Sequence, residues 1–417
     1  MNILVCGANG LIGRALGARL EAGGHRVLRG VRHAVGPHDV AIDFAKDVDP
    51  DAWLVRLDGV DVVINAVGML ADRRDATFDS VHRAAPCALF TACCRTRVRR
   101  VIQISALGVE RGDTPYFASK YAADTFLQTL PLDYRIVRPA LVYGAAGTSA
   151  RFFRMLASLP VHALPAGGHQ RLRPVHVDDL AELVARLVDS PEAGNPVIDA
   201  VGADEVEYRE MLGVYRAALG FPPAARITLP GPLVGAAAAL LGTMPGAMLT
   251  RDTWTMLRGG NTGDPAALAA VLGRPPRGLR SFIGADAITL RRDALAMWHR
   301  PLLLGALAIV WIWTAIVSAF VHPLSDSLAM LARVHLSGLP ALIALYAACA
   351  LDFAFGVATV AAPSRRLWAA QGALIVAYSA VIAVTMPGLL AEPFGPVLKN
   401  VPILAILSIL FSEEEQA

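Results

Sequence analysis

The hydrophobic pattern divides the chain into two regimes. Up to about residue 290, short apolar runs alternate with stretches of helical period; beyond Pro301 the apolar residues run on almost without interruption. In the first regime Ile3, Leu4 and Val5 predict a buried strand over Met1–Cys6, and Arg14 to Ala22 a helix. Strands follow at Val27–Val31, Val40–Ile42, Val60–Val67, Val101–Ile104 and Arg138–Gly144, with helices from Phe78 to Arg95 and from Tyr116 to about Leu130. Strands alternating with helices predict a doubly wound α/β sheet. A smaller lobe follows, with a helix opening at Arg151, Phe152, Phe153 and Met155 and another over Glu207–Leu219. Pro230 to Leu249 is apolar, bounded by Pro230, Pro232 and Pro245, and too short to span a bilayer. It is either a buried lobe helix or a surface resting on lipid near a substrate entrance.

The second regime predicts an all-α, four-helix transmembrane domain. Residues 302–321, 336–361 and 367–390 are long enough to cross a bilayer; 397–411 is a shorter fourth, with Lys399 and Asn400 placed to snorkel at its start. The expected division is therefore 1–290 and 291–417. Basic residues gather before the first span (Arg291, Arg292, His299, Arg300) and at Arg365–Arg366, whereas Arg333 and Lys399 fall on the other side. That asymmetry expects the N-terminal domain and Glu413–Glu415 in the cytoplasm, on a multi-pass inner membrane protein. Asp352 lies inside a span and is a functional candidate by default, reaching either water or Trp368; His335 is expected at the outer mouth.

Composition sharpens this picture modestly. Of 417 residues 55% are hydrophobic, with mean hydropathy +0.48, the excess being concentrated after Pro301. A net charge of +3 gives no argument for nucleic acid. Five cysteines without CxxC spacing read as reduced structural thiols, and no metal site is expected.

The chemistry begins at Gly7-Ala8-Asn9-Gly10-Leu11-Ile12-Gly13, between the first strand and the first helix. Glycines there let backbone approach a pyrophosphate, which the helix N-terminus holds through its N–H groups. Asn9, Leu11 and Ile12 are cofactor-binding candidates with the three glycines. The second strand ends with Arg29 and Arg32 and no acid before Asp39, which favours a 2′-phosphate and hence NADP(H), with NAD(H) the alternative. Asp43 is placed to face an adenine amino group, and Ala66, Val67 and Gly68 follow the fourth strand at the cofactor edge. Ser105 ends the fifth strand, where ligands bind in open α/β sheets. Tyr116 and Lys120 share a helical face, and the lysine charge with a cofactor ribose is expected to lower the tyrosine pKa, making it a proton donor or acceptor beside the nicotinamide.

These residues resemble the atypical or extended short-chain dehydrogenase/reductases, near the branch of NmrA-like regulators and the nucleotide-binding accessory subunit of respiratory complex I. Val81-His82 before a long helix, Arg100 to Gly108, Arg138-Pro139-Ala140-Leu141-Val142-Tyr143-Gly144 and Pro174 to Ala181 carry the likeness, which covers roughly Met1 to Ala287. The resemblance implies a Rossmann fold with a substrate lobe. It gives Gly7, Gly10 and Gly13 the pyrophosphate, Arg32 the adenosine phosphate, Pro139 a place at the cofactor, Tyr116 the acid/base role and Lys120 the nicotinamide ribose. It makes Val177 to Ala181 a structural helix start capped by Asp178. Extended enzymes carry further hydroxyls just past the fifth strand, where Ala106 and Leu107 stand here.

Glu392 to Asn400 and Asp352 within Leu351–Gly356 resemble the DoxX-like four-helix membrane domain, whose relatives are linked with quinone-dependent sulfur oxidation. Together the readings predict a membrane-anchored NAD(P)H-dependent oxidoreductase that uses Tyr116, Lys120 and Ser105 on an apolar carbonyl, alcohol or quinone-like substrate. The alternative is a nucleotide-binding sensor or assembly module of a membrane redox complex, with little or no turnover.

Overall fold

The strand Asn2–Cys6 (β1) is buried on both faces, and its alternation shows why. Ile3 and Val5 join one apolar cluster, Leu4 and Cys6 the other. Sheet residues covered by helices on both sides read as continuous apolar runs. The computed structural model describes residues 1–191, 197–244, 246–391 and 397–414. Pro245, Glu392–Pro396 and Glu415, used above, lie outside the described residues. The chain forms two compact units, Met1–Ala294 and Leu295–Ala417.

The remaining strands of the first unit are β2 (Arg26–Val31), β3 (Asp39–Ala41), β4 (Val62–Asn65), β5 (Arg100–Ile104), β6 (Asp133–Pro139), β7 (Val142–Tyr143), β8 (Val161–Pro165), β9 (Arg171–Leu172), β10 (Val175–His176), β11 (Val197–Ala200), β12 (Val206–Glu207) and β13 (Ala225–Leu229). Seven of them form one parallel sheet in the order β11-β6-β5-β4-β1-β2-β3. Helices α1 (Leu11–Ala22), α2 (Asp51–Leu54), α3 (Ala85–Cys94), α4 (Pro115–Gln128), α5 (Thr148–Ser158), α6 (Val177–Asp189), α7 (Tyr208–Ala218), α8 (Gly231–Leu241), α9 (Arg251–Arg258) and α10 (Ala266–Leu272) complete the unit. Leu16, Leu20, Leu180, Val184, Leu268 and Leu272 put α1, α6 and α10 against one face of the sheet. Trp53, Leu89, Phe90, Ala123 and Leu127 put α2, α3 and α4 against the other, so the sheet is doubly wound.

The lobe is built from the pairs β7–β10, β8–β13 and β9–β12 with α5 and α7. Its core joins Tyr143, stacked on Phe282 at 5.0 Å, to Tyr215 at 5.5 Å.

Three local expectations change. The expected strand Arg138–Gly144 is two elements: β6 begins earlier, at Asp133, because Arg100 binds that carboxylate at 2.7 Å, and β7 belongs to the lobe. The helix expected from Phe78 opens with a π-helical turn, Asp79–Ala84, before α3. Helix α6 is capped by His176, whose Nδ1 accepts from the Asp178 amide at 3.2 Å; Asp178 lies in the first turn instead of capping it.

Helix α11 (Ala287–Ile316) begins in the first unit; the second takes it up from Leu295, continued by a π turn to Val321, then α12 (Leu324–Ala332), α13 (Gly338–Ala361), α14 (Arg365–Thr385) and α15 (Asn400–Glu413). Three segments, Ala287–Val321, Gly338–Ala361 and Arg365–Thr385, are long and apolar enough to cross a membrane. The expected fourth span has 14 residues, about 21 Å of helix against a hydrocarbon core of about 30 Å. Leu307, Trp311, Trp368, Ile375, Leu407 and Leu410, from α11, α14 and α15, form the core of the second unit. Trp311 donates to Gln371 at 3.0 Å and Gln371 to Thr359 at 2.9 Å. Trp368 donates to Glu414 at 3.2 Å, as does Arg300 at 2.7 Å, so the indole is not Asp352's partner. Asp352 is buried on α13 with Oδ1 unpartnered.

Candidate active site

The glycine loop is built by backbone. Gly7 takes φ +80°, a region costly for side-chain-bearing residues, and its N–H donates to Gly30 O at 3.1 Å. Gly10 ends the turn, donating to Gly7 O at 2.9 Å, and caps α1 in extended conformation. A Cβ on Gly13 would lie 2.1 Å from Gly7 O, so the helix approaches the loop as closely as it does only because Gly13 has none. The amides of Leu11 and Ile12 open α1, where first-turn N–H groups have no intrahelical acceptors. Leu11's side chain packs toward Gly144 and Gly147, and Ile12's against the core.

A cleft of about 400 Å³ opens from this loop. It is lined by Gly7, Asn9 and Gly10, by Gly30 to His33, by Ile42 and Phe44, by Ala66 to Gly68 and by Val81. Arg32 is exposed at its wall. Asn9 accepts from Arg29 at 2.8 Å, tying the loop to the end of β2. Asp43 is turned away: its neighbours line the cleft, while its carboxylate accepts from the Ala45 amide at 3.1 Å and meets Lys46 at 3.5 Å. Pro139 is buried at the end of β6, its carbonyl accepting from Leu107 N at 3.0 Å, and does not line the cleft.

Gly68 links the cleft to the lysine and to His82. A Cβ there would lie 3.8 Å from Lys120 Nζ and 3.9 Å from His82 Nε2. Thr114 starts α4 by accepting from the Phe117 amide at 3.2 Å, and one helical turn puts Tyr116 and Lys120 on the same side. Lys120 Nζ lies 5.8 Å from the Tyr116 ring centre and donates to Ile104 O at 3.1 Å. Burial lowers the lysine to about 8, Asp124 opposing the effect. Burial pushes the Tyr116 phenol above its usual range, the reverse of the lowering expected from Lys120, so it is protonated at neutral pH.

His82, quoted only as part of a family pattern, belongs to this site. Its ring meets Tyr116 edge-on at 5.3 Å, and Phe78 meets the same ring at 6.1 Å. Nε2 accepts from Met69 N at 3.1 Å, so Nδ1 carries the proton and donates to Ser119 Oγ at 3.2 Å; Ser119 in turn donates to Tyr116 O at 3.0 Å. Burial, then the Lys120 charge, lowers His82 to about 2, and the imidazole is neutral.

Ser105 is where the site departs from expectation. It is buried, and its hydroxyl donates to Asp124 Oδ2 at 2.6 Å. The same carboxylate meets Arg138 at 3.4 Å, and Arg138 also bonds Glu110. Asp124 is fully buried and raised to about 6 by desolvation, against the hydrogen bond from Ser105 and the charge of Lys120. Ala106 and Leu107 follow with apolar contacts, Ala106 in a cluster that includes Tyr116 and Met256.

Residues 7–191 match the NAD(P)H-binding family and residues 308–408 the DoxX-like family. A ceramide reductase of Caulobacter vibrioides is 27% identical over 262 residues, covering 61% of this chain and 78% of its own. An uncharacterized protein of Mycobacterium tuberculosis is 29% identical over 235 residues, 55% of this chain, and the chain spans only 25% of that relative's length. Among solved structures, a short-chain dehydrogenase/reductase superfamily protein from Agrobacterium tumefaciens with bound NAD aligns at TM-score 0.54 and 17% identity, over 72% of this chain and all of its own. A UDP-glucuronic acid 4-epimerase from Bacillus cereus with UDP-glucuronic acid and NAD aligns at 0.53 and 16%, over 70% and 99%. A human epimerase family protein with NADPH aligns at 0.53 and 21%, over the same shares. These structures share the fold of the first unit.

Proposed function

Taking the chain as an NAD(P)H-binding unit of the short-chain dehydrogenase/reductase, epimerase-like kind joined to a DoxX-like membrane unit, we propose that it is a membrane-anchored NAD(P)H-dependent reductase acting on the carbonyl of a lipid-like substrate. The observation that carries this reading is Lys120, whose Nζ reaches Gly68 at the edge of the glycine-loop cleft and lies 5.8 Å from the ring of Tyr116, a phenol held protonated by burial. The cradle fits a dinucleotide: Gly7 and Gly10 line the cleft, and Gly13 lets the N-terminus of α1 lie close against the loop that forms it. Arg32 supports NADP(H) over NAD(H), since its guanidinium is exposed at the wall where β2 ends.

When bound, the nicotinamide supplies the hydride. Tyr116 supplies the proton: as the substrate carbon is reduced, the phenol O–H donates to the carbonyl oxygen, leaving an alcohol and a phenolate. Lys120, charged below about pH 8, stabilises that phenolate, and the neutral His82 holds the backbone at Tyr116 through Ser119. The Caulobacter vibrioides relative named ceramide reductase, and the three membrane-length helices, support a long-chain lipid ketone as the substrate class. The basic clusters at Arg291, Arg292, His299 and Arg300 and at Arg365–Arg366 support a cytoplasmic first unit on the inner membrane.

One observation favours a second reading. With Ser105 committed to Asp124, no hydroxyl from the end of β5 steadies a substrate carbonyl, as expected of a nucleotide-occupied sensor or assembly module. The test is NADPH oxidation by the full chain in detergent with long-chain ketones, ceramide-type lipids and quinones. Turnover that falls by about 10²-fold or more in Tyr116→Phe, with NADPH affinity unchanged, supports the reductase. Tight NADPH binding with no turnover on any class overturns it in favour of the sensor.

A further inference from the structure

The apolar segment after β13 leaves most of its surface uncovered. In α8 only Val234 and Ala238 are buried, both against Trp254 of α9. Leu233, Ala236 and Leu240 share one helical face, which Met244 extends beyond the last turn; all four are exposed, as is Leu241 beside them. Leu240 is 74% and Met244 60% exposed, and no charged residue interrupts Gly231–Leu241. Exposed apolar patches of this kind mark contact surfaces.

A second observation says what the surface meets. Beside α8 lies a hollow of about 530 Å³, lined by Ala166, Gly231, Pro232, Gly235, Trp254 and Thr255 and by Arg251 and Arg258. Both arginines are exposed, and neither forms an ion pair among the described residues. Asp252, next to Arg251, is not part of that lining. Apolar side chains flanked by cations and a tryptophan match a bilayer interface, where acyl chains lie beneath anionic phosphates. The membrane-length helices of the same chain keep the first unit tethered near a bilayer, which raises the effective concentration of lipid at this surface.

We propose that α8 and α9 form a lipid-docking surface: Leu233, Leu240, Leu241 and Met244 enter the acyl boundary, and Arg251 and Arg258 receive anionic head groups. The surface also reaches the candidate site. Met256, on α9 between Trp254 and Arg258, packs in the cluster containing Tyr116, Ala106, Val109 and Phe117. Lipid held at α8 is thus one helix away from the tyrosine. The docking itself does not rest on the reductase reading, because it requires no turnover.

The test uses the full chain in nanodiscs, with an environment-sensitive fluorophore on Leu240→Cys in a Cys87→Ala, Cys94→Ser background and a control probe on Val55→Cys, which is 87% exposed on the sheet unit. Retained NADPH binding shows that the labelled proteins are folded. The proposal expects blue-shifted emission at Leu240, quenched by spin-labelled lipid severalfold more than at Val55. It also expects that quenching to be stronger with phosphatidylglycerol than with phosphatidylcholine alone. Arg251→Glu with Arg258→Glu should remove the phosphatidylglycerol gain. Quenching equal at the two sites overturns the proposal. A blue shift without lipid quenching also overturns it, by showing protein, such as a second copy, over α8. An unchanged phosphatidylglycerol response in the double variant overturns the role given to the arginines.

Discussion

Replacing Gly13 by alanine adds one methyl group at the tightest point of the glycine loop. The new Cβ would lie 2.1 Å from Gly7 O and 2.8 Å from Ala8 Cα, so loop and helix must part by about 1.3 Å to reach ordinary contact. Helix α1 is not free to yield, because Leu16 and Leu20 are fully buried against the sheet. The loop moves instead, into the cleft, and the bond from Gly10 N to Gly7 O at 2.9 Å stretches. Overpacking costs about 1–3 kcal/mol and the lost hydrogen bond about 1. Restoring the loop around a pyrophosphate therefore costs about 2–4 kcal/mol, a loss of NADPH affinity of about 30- to 1,000-fold. Gly17, one turn further along α1, is the internal control: a Cβ there meets nothing within 4 Å. Gly17→Ala makes the same chemical change, gains about 1 kcal/mol of helix propensity, and should leave affinity intact. The assay is a fluorescence titration of NADPH into each purified full-length variant. Affinity of Gly13→Ala within about threefold of wild type would refute the account of the loop, whatever its stability.

Three further outcomes follow from the site. Arg32→Ala should weaken NADPH by about tenfold or more and leave NADH unchanged; equal effects on both nucleotides would remove Arg32 from the 2′-phosphate role. Asp124 titrates near 6 when folded, against 3.8 for an ordinary aspartate, because burial disfavours its charge. The folded state then binds the proton more tightly than the unfolded chain. Wild type should gain about 3 kcal/mol of stability on Asp124→Asn as pH falls from about 7 to about 3.5, the gain developing between those two titration points. A pH-independent difference in chemical unfolding of the first unit would contradict that burial. Tyr116→Phe should leave the melting temperature within about 2 °C of wild type, since the Tyr116 hydroxyl has no hydrogen-bond partner among the described residues. A large loss would make the tyrosine a structural residue.

Sequence pattern carried the parts of this molecule that depend on local chemistry. The glycine loop was legible because Gly7's positive φ and Gly13's close approach to Gly7 O each demand glycine. The Tyr116–Lys120 pair was legible because four residues of helix fix a shared face. Ser105 was not: which way a hydroxyl turns at a strand end depends on what packs behind it, and Asp124 arrives 19 residues later, on α4. The start of β6 was hidden because Asp133 is polar and exposed, and its ion pairs with Arg100 and Arg135 form only in the folded sheet. His82 carried no signal of its own in sequence, standing beside Asp79, Ser80 and Arg83, and its partners Met69 and Ser119 are set by the fold. The surface of α8 was left between burial and lipid, because an apolar helix in sequence does not say which side is covered.

The order of strands along the chain has a consequence in time. The nucleotide-binding sheet is complete once Val197–Ala200 pairs with β6, and the lobe once Phe282 reaches Tyr143. The 86 residues from Val201 to Asp286 separate the last sheet strand from the first membrane-length helix. At about 5–20 residues per second a ribosome needs about 4–17 s to make them. The cleft can therefore form and load nucleotide while the chain is still being synthesised, before its apolar helices emerge and commit it to a membrane.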